Sequence, residues 1–297
     1  MPSGFSSATG GATLTAPQVE QLLIAPLKAK AVVLAAGPQV FTSNGGVPLR
    51  IPRLDAVTLN DPWRSENTLL AETDPTLGEV VLLPSTLKSL KVLHRISNEL
   101  ARHAVADIGA TLGGALVAEV ARAVDAAFLV GDGAANTIQG LAAATGVQVT
   151  AAVGTPTVDA LHDAEGKLLA ANGDPATSAW FMAPRSLTSL RKQREGAGTG
   201  AYLLQPSPTE AGRMTLLGHP IFVSTAIATN GGAGTNESKI ILADLAQVAV
   251  GIDAEPTFTI LDQTFGDWDQ VALRIVARMD IAPLNPAAVV VLTGVTP

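Results

Sequence analysis

The chain has 297 residues, no cysteine, and 26 acidic against 19 basic side chains, which gives a net charge of −7 at pH 7. The lack of cysteine excludes disulfides, thiolate nucleophiles and cysteine-ligated zinc, and the acidic balance argues against a protein that grips nucleic-acid phosphates. Because only 15% of the residues are charged and 47% are hydrophobic, the composition fits an assembly protein covered by other subunits, although a robust monomer can share it.

The first 30 residues are predicted to form an N-terminal arm. Residues 1–14 are rich in Ser, Gly, Thr and Ala, which favours a mobile tail over a strap laid across a neighbouring subunit. The N-terminus lacks the pattern of a secretory signal, and no apolar run of 18 residues occurs in the chain. We therefore expect no membrane partner.

Two strand-like stretches and an acidic segment follow. Val40 to Ile51 is predicted to be strand-like, with Asn44-Gly45-Gly46 as a hairpin turn, and Val80 to Leu83 is predicted to be a strand closed by Pro84. Residues 58–84 carry five acidic side chains against one arginine. A two-stranded ribbon is marginally stable alone, so this one must lie on another surface.

Ser97 to Val130 is predicted to be one long amphipathic helix, with Ser97 as its N-cap. About thirty helical residues span ~45 Å, more than a compact domain needs, so we interpret the helix as a spine. Its apolar residues recur every four positions, at Leu100, Ala104, Ile108, Leu112, Leu116, Val120, Val124 and Phe128. The turn that ends it is predicted to contain Gly131, Asp132, Gly133 and Gly140, with Gly131 and Gly133 at positive φ.

Three glycines interrupt this helix, namely Gly109, Gly113 and Gly114. Each costs about 1 kcal/mol relative to alanine, so each needs a reason. One interpretation is the close approach of another backbone segment, and the other is a point at which the helix bends.

Short elements joined by Gly, Pro, Asn and Asp fill the rest of the chain. Ala179 to Ala183 is predicted to be a buried strand, Gly196 to Gly200 a flexible loop, and Val271 to Met279 one long alternating strand. Helices and strands mix without a regular βαβ repeat, which indicates the α+β class.

No catalytic, cofactor-binding or metal site is predicted. Gly131-Asp132-Gly133 follows a helix and has no neighbouring lysine, unlike a phosphate-binding loop. The four histidines are scattered, at His94, His103, His162 and His219. Asp262, Asp267 and Asp269 surround Trp268 without the spacing of an EF-hand, so we expect a solvated acidic loop there.

Several motifs resemble those of Hong Kong 97-type major capsid proteins of tailed bacteriophages, in the same order over roughly residues 45–295. The helix end Phe128-Leu129-x-Gly131-Asp132-Gly133 with Gly140-Leu141 is similar to the family's helix-ending turn. Ile96 to Leu100 resembles the start of the spine helix, and Thr76 to Ser85 the returning strand of the extended loop (E-loop). Phe181 to Arg185 resembles the strand-proline-helix unit of the apical (A) domain, and Leu217 to Val223 resembles a later strand of that domain.

The resemblance implies an α+β Hong Kong 97-like fold with an A-domain, a peripheral (P) domain, an E-loop and an N-terminal arm. The expected division is the arm at 1–30, P-domain at 31–57, E-loop at 58–84, P-domain with the spine helix at 85–134, A-domain at 135–265, a P-domain return strand at 266–285, and a C-terminal strand at 286–297.

In this family the E-loop lies over the next subunit, and the charges suggest how. Residues 87–103 have a net charge of +3, opposite to the acidic E-loop. We hypothesise that the two surfaces meet between subunits, although two ordinary solvated faces are an equal alternative. The residues concerned are Arg64, Glu66, Glu72, Asp74, Glu79, Lys88, Lys91 and Arg95.

The resemblance implies a major capsid protein, without enzymatic activity, whose hexamers and pentamers form an icosahedral shell around double-stranded DNA. A portal, a separate scaffolding protein and a decoration protein are the expected partners, in a virion assembled in the host cytoplasm. Residues 58–84 contain no lysine, which argues against the lysine–asparagine crosslinking of some relatives. The alternatives are an encapsulin-like nanocompartment and, less favoured, an enzyme with an unrecognised site.

Overall fold

A computed structural model describes residues 31–43, 47–56, 63, 66, 76–84, 89–99, 108–134, 137–196, 199–202, 214–253, 257–261 and 263–297. Within these ranges the α-helices are α1 Val32–Ala35, α2 Ile108–Val130, α3 Val158–Ala170 and α4 Pro184–Arg191. Short 3-10 turns occur at Leu141–Ala143, Leu245–Gln247, Gly266–Trp268 and Pro286–Ala288.

The described strands form sheets and ribbons whose neighbours are often distant in sequence. In chain order they are β1 Gln39–Thr42, β2 Leu49–Ala56, β3 Thr76–Leu82, β4 Leu90–Ser97, β5 Gln148–Thr150, β6 Ser178–Met182, β7 Arg194–Gly196, β8 Thr199–Tyr202, β9 Thr215–Leu216, β10 His219–Val223, β11 Ser238–Asp244, β12 Val248–Ile252, β13 Thr257–Leu261, β14 Gln270–Ala277, β15 Met279–Pro283 and β16 Val289–Val295. The sheet orders are β5-β16-β11-β6-β10-β9, β1-β12-β15 and β13-β14-β4, with two-stranded ribbons β2-β3 and β7-β8.

The central strand β6 is buried at all five positions. Ala179 and Phe181 belong to the main core, whereas Trp180 and Met182 belong to a second core with Leu161 of α3 and Leu190 of α4. Because successive side chains of a strand point to opposite faces, the six-stranded sheet separates the two cores. This double burial explains why β6 is apolar throughout and confirms the predicted strand.

Helix α2 packs its apolar face into the main core. Val117, Val120, Val124 and Phe128 are all at most 5% exposed and share that core with strands of all three sheets. At the predicted start, Asn98 and Glu99 are helical, and the Ser97 hydroxyl accepts a 3.3 Å hydrogen bond from the Glu99 amide. Residues 100–107 lie outside the described part of the chain.

The ribbon β2-β3 is anchored at its base. Leu82 and Leu83 are fully buried, and Leu83 adopts a positive φ of 55°. A Cβ on Gly251 of β12 would stand 3.2 Å from side-chain atoms of both leucines, so a larger residue there would require the base of the ribbon to shift by a few tenths of an ångström. The Leu83 amide donates a 2.9 Å hydrogen bond to the buried carboxylate of Asp280 on β15.

A second buried carboxylate accepts hydrogen bonds from the N-terminus of α1. Asp125 of α2 is 3% exposed and accepts hydrogen bonds from the amides of Val32 and Val33, at 2.9 and 3.0 Å. These are orphan donors at the N-terminus of α1. Burial raises the pKa of the Asp125 carboxyl, and the two amides offset part of that effect. Burial likewise raises the pKa of Asp280, against hydrogen bonds from Leu83 and Ile281.

Three local predictions are wrong. Strand β1 pairs in parallel with β12 while β2 pairs with β3, so residues 40–51 do not form a hairpin. The stretch Val271 to Met279 is divided at Arg278 between β14 and β15, which join different sheets. Gly196 and Gly200 lie in the paired strands β7 and β8 rather than in a flexible loop. In the first two cases the strands pair with remote partners, which the local pattern does not show. In the third case the glycines hid two short strands, because glycine is depleted in strands.

The sheets also group the strands differently from the expected domain boundaries. Strands β12 and β13 fall inside the range 135–265, yet they pair with β15 and β14. Strand β16, from the range 286–297, lies between β5 and β11 in the six-stranded sheet. Strand β4 was not predicted, because its charged residues hid its alternation. The N-terminal arm, 1–30, lies outside the described residues.

The two buried carboxylates predict a defined pH dependence of stability. Each folded-state pKa is raised, so the stability these groups contribute is full below the ordinary aspartate pKa, about 4, and is lost as the pH rises through the raised values. We expect Asp280→Asn to destabilise the unassembled subunit by about 1–3 kcal/mol at pH 4, because asparagine offers one acceptor for two amides. The deficit should shrink towards pH 7, measured by urea unfolding.

The control for this experiment is Asp267→Asn, since Asp267 is exposed. It should leave the free energy of unfolding unchanged within about 0.5 kcal/mol. A deficit for Asp280→Asn that grows with pH would contradict the assignment.

Candidate assembly surfaces

The turn after α2 is built by close backbone contacts. The Gly131 amide donates to the Ala127 carbonyl at 3.1 Å, and the Gly140 amide to the Gly131 carbonyl at 2.9 Å. A Cβ on Gly131 would overlap the Ile138 carbonyl oxygen, and one on Gly140 would stand 2.5 Å from the Ala127 oxygen. Gly133 has a φ of 72°, but Gly131 is not among the positive-φ residues, so close approach replaces the predicted conformational reason there.

Asp132 fixes the other side of this turn. Its Oδ1 accepts hydrogen bonds from the Thr137 hydroxyl at 2.5 Å and the Ala134 amide at 3.0 Å. The hydrogen bond from Thr137, followed by that from Ala134, lowers the pKa of the Asp132 carboxyl. The carboxylate therefore stays ionised and has local partners, which suits a structural role better than a catalytic one.

A basic surface lies on the sheet β13-β14-β4. Lys91, Leu93 and Arg95 of β4 are exposed and alternate with Leu90 and Val92, which pack against the core. Exposed Arg274 of β14 stands opposite Leu93. We call Lys91, Leu93, Arg95 and Arg274 the basic sheet face. Sequence reasoning found Lys91 and Arg95 but missed Arg274, because only the strand register brings it alongside.

Arg95 also has a contact within its own chain. Its guanidinium lies 4.1 Å from the centroid of the Phe265 ring. Such a contact is worth about 0.5–1 kcal/mol at an exposed site and restrains the side chain. The charge remains at the surface.

The predicted acidic residues are only partly brought together. Glu79 of β3 forms a 2.6 Å ion pair with Arg50 of β2, with both side chains more than half exposed. Glu66 is exposed. Arg64, Glu72, Asp74 and Lys88 lie outside the described residues. The helix glycines Gly109, Gly113 and Gly114 lie in the described backbone of α2, and the choice between close packing and bending stays a prediction.

Other chemistry considered from the sequence finds no geometric support in the described ranges. No group of three His, Cys, Asp or Glu side chains there is placed to hold a metal ion. His219 is buried, with Nδ1 2.9 Å from the Pro175 carbonyl oxygen and Nε2 3.4 Å from Glu165. Asp269 accepts a hydrogen bond from Asn98, and Asp262 is not described. None of the described helices is long and apolar enough to cross a membrane.

Most of the sequence matches a known family of proteins. The model of the phage capsid family matches residues 11–294. The chain belongs to the phage capsid family. A major capsid protein of Klebsiella oxytoca phage phiKO2 is 26% identical over 312 residues, covering 98% of this chain and 70% of the relative.

Solved capsid structures share the fold. The capsid of a native GTA particle, computed with C5 symmetry, superimposes with a TM-score of 0.69 and 17% identity, covering 100% of this chain and 96% of that one. A structure from Mycobacterium phage Adephagia gives a TM-score of 0.66 and 18% identity, covering 100% and 95%. The Hong Kong 97-like α+β fold and the family resemblance are thereby confirmed.

Membership of the phage capsid family sets the function. The protein is a structural subunit of an icosahedral phage shell and part of the virion. The encapsulin-like alternative is not favoured. The family is one of structural capsid proteins rather than of enzymes.

The helix-ending turn yields a stability prediction. Gly131→Ala should destabilise the subunit by about 1–3 kcal/mol, because the added methyl group meets backbone oxygens that have no room to move. The matched control is Gly166→Ala in α3, where a Cβ has nothing within 4 Å. That change should stabilise by about 0.5–1 kcal/mol. Urea unfolding measures both, and equal effects of the two changes would refute the proposed role of Gly131.

Proposed function

We propose that many copies of this chain form the hexamers and pentamers of an icosahedral shell that encloses phage double-stranded DNA. The observation that supports this role is the ribbon β2-β3, which is fixed to the body at one end. Seven register pairs run from Leu49 opposite Leu82 to Ala56 opposite Thr76, a length of roughly 23 Å at 3.3 Å per residue. Because an isolated ribbon is marginal in water, a neighbouring copy is its natural support.

The charges suggest which surfaces of two neighbouring copies meet in this contact. In this proposal the charge of the E-loop complements that of a surface that includes Lys88 and the basic sheet face. The E-loop residues concerned are four acids and one arginine, namely Glu66, Glu72, Asp74, Glu79 and Arg64. Lys91 forms no ion pair with any described residue, and Arg274 lies on the middle strand β14, directly between β13 and β4. Complementarity of this kind fixes register and partner choice more than it adds affinity.

We further propose the remaining partners on the same basis. The acidic chain has no charged residue among its first 19, which suits a shell that encloses DNA without sequence-specific binding. A portal, a separate scaffolding protein and a decoration protein are the partners such a shell uses, with assembly in the host cytoplasm. The role is mechanical, without a catalysed reaction.

Assembly of the chain alone is the direct test of the proposed function. We expect electron microscopy of the purified protein to show closed shells of uniform diameter, or rings that close into shells when a scaffolding protein is coexpressed. DNA in particles from infected or induced cells would support a capsid, and enclosed enzymes would support a nanocompartment instead. If neither rings nor shells form under either condition, the proposal is wrong.

Reversal of one charge tests the contact between subunits. Lys91→Glu should prevent or weaken shell formation while the melting temperature of the unassembled subunit stays unchanged, because Lys91 is exposed. Adding Glu66→Lys should restore part of the assembly. The control is Lys192→Glu, the same charge change at an exposed residue that follows α4. Normal shells from Lys91→Glu would exclude the electrostatic contact.

A further inference from the structure

We propose that the indole of Trp63 from one copy inserts into a cleft between α2 and β4 of a second copy, and so anchors the E-loop. This inference rests on the proposed function, since it names the receptor and the anchor for the contact between subunits. The inserted indole would add a specific apolar contact to the electrostatic one.

Trp63 is the most exposed large hydrophobic residue among those described. Its side chain is 95% exposed, compared with 75% for Trp268, while Trp180 is fully buried. A tryptophan left in water forfeits a large burial free energy, and tryptophan is enriched among the residues that dominate interfaces. Trp63 lies beyond the far end of the ribbon, between Ala56 and Thr76 in sequence.

The cleft is of suitable size and lining. It encloses about 700 Å³, within the range of pockets that hold small ligands. Its walls include Leu90 of β4, Ala126 and Ala127 of α2, and Met279 of β15. The small alanine side chains leave space in the cleft that larger side chains would fill. Methionine is flexible and can adapt its shape to an aromatic ring. Gly131 and Asp132 of the helix-ending turn also line it.

Charge at the rim matches the segment that carries Trp63. Lys91 and Arg122 lie at the cleft with Asp132, and the Asp132 oxygen is engaged by Thr137 and Ala134. Arg122 pairs with Glu119 at 3.0 Å on the exposed side of α2. Residues 57–75 carry four acidic side chains and one arginine. Because β4 is an edge strand of its sheet and Lys91 is among the residues that line the cleft, the cleft and the basic sheet face meet at this edge.

The geometry assigns the cleft to a different copy. The ribbon base is fixed at Leu83 by Asp280, the residue after the cleft residue Met279. The paired strands carry the E-loop roughly 23 Å away from that base before Trp63 is reached. To reach its own cleft, Trp63 would have to return along the length of the ribbon, whereas a neighbouring cleft requires no such return.

The cysteine-free chain allows a direct test by disulfide trapping in assembled particles. Glu66→Cys with Arg122→Cys keeps Trp63 and places one thiol beside the anchor and one at the cleft rim. Mild oxidation should give disulfide-linked oligomers on non-reducing gels, absent from either single-cysteine variant. Adding Trp63→Ala should reduce the crosslinked fraction at least about tenfold, the loss expected for an interface hot spot. Adding Trp63→Phe should retain it.

A second pair separates this inference from the proposed function. Glu66→Cys with Leu93→Cys reports on the middle of the basic sheet face. Crosslinking at Leu93 without crosslinking at Arg122 would overturn the cleft while leaving the proposed E-loop contact intact. Shells that crosslink at neither position would overturn both. Crosslinking at Arg122 that Trp63→Ala does not change would show that the indole is not the anchor. If Trp63→Ala gives no particles, recovery by Trp63→Phe supports the anchor and failure of both refutes it.

Discussion

The buried face of α2 is the constraint on which the rest of the subunit depends. Val120, Val124 and Phe128 lie in one core with strands from all three sheets, strands that are separated by more than two hundred residues. Because α2 packs against several sheets at once, the position of its last turn is fixed by that packing. The backbone contacts at Gly131 and Gly140 end the helix there, so the turn follows from the packing of the helix.

Two buried aspartates mark the places where extensions leave this core. Asp125 binds the amides just after the N-terminal arm, and Asp280 binds the amide at the base of the ribbon. Burying an acid raises its pKa and costs stability, but without the acid the buried amides would lose their acceptor, at about 1–3 kcal/mol each. The arrangement fixes the positions at which α1 and the ribbon β2-β3 join the core.

The sequence predicted what depends on local periodicity and failed where distant pairing decides. The four-residue apolar repeat located α2, and the apolar run Ala179 to Ala183 located β6, because burial on one or both faces leaves a direct pattern. Nothing local shows that β14 and β15 separate at Arg278, that Arg274 lies beside Leu93, or that a cleft opens at Lys91. The buried Asp125 was missed, although one sequence feature could have indicated it: an acidic residue lies next to Val124 in the apolar stripe of the helix.

The balance of forces explains why charge alone does not suffice for the E-loop contact. An exposed ion pair contributes about 0–1 kcal/mol, so in the proposed contact a few pairs at the basic sheet face would select the partner and its register but would not supply the affinity. Affinity has to come from desolvated apolar area, and the chain has only 11 aromatic residues with which to supply it. Trp63 is exposed and lies in the acidic segment, so one loop would supply both the ion pairs and the apolar area of the proposed contact. Repeated around closed symmetric rings, contacts that are individually modest become collectively stable.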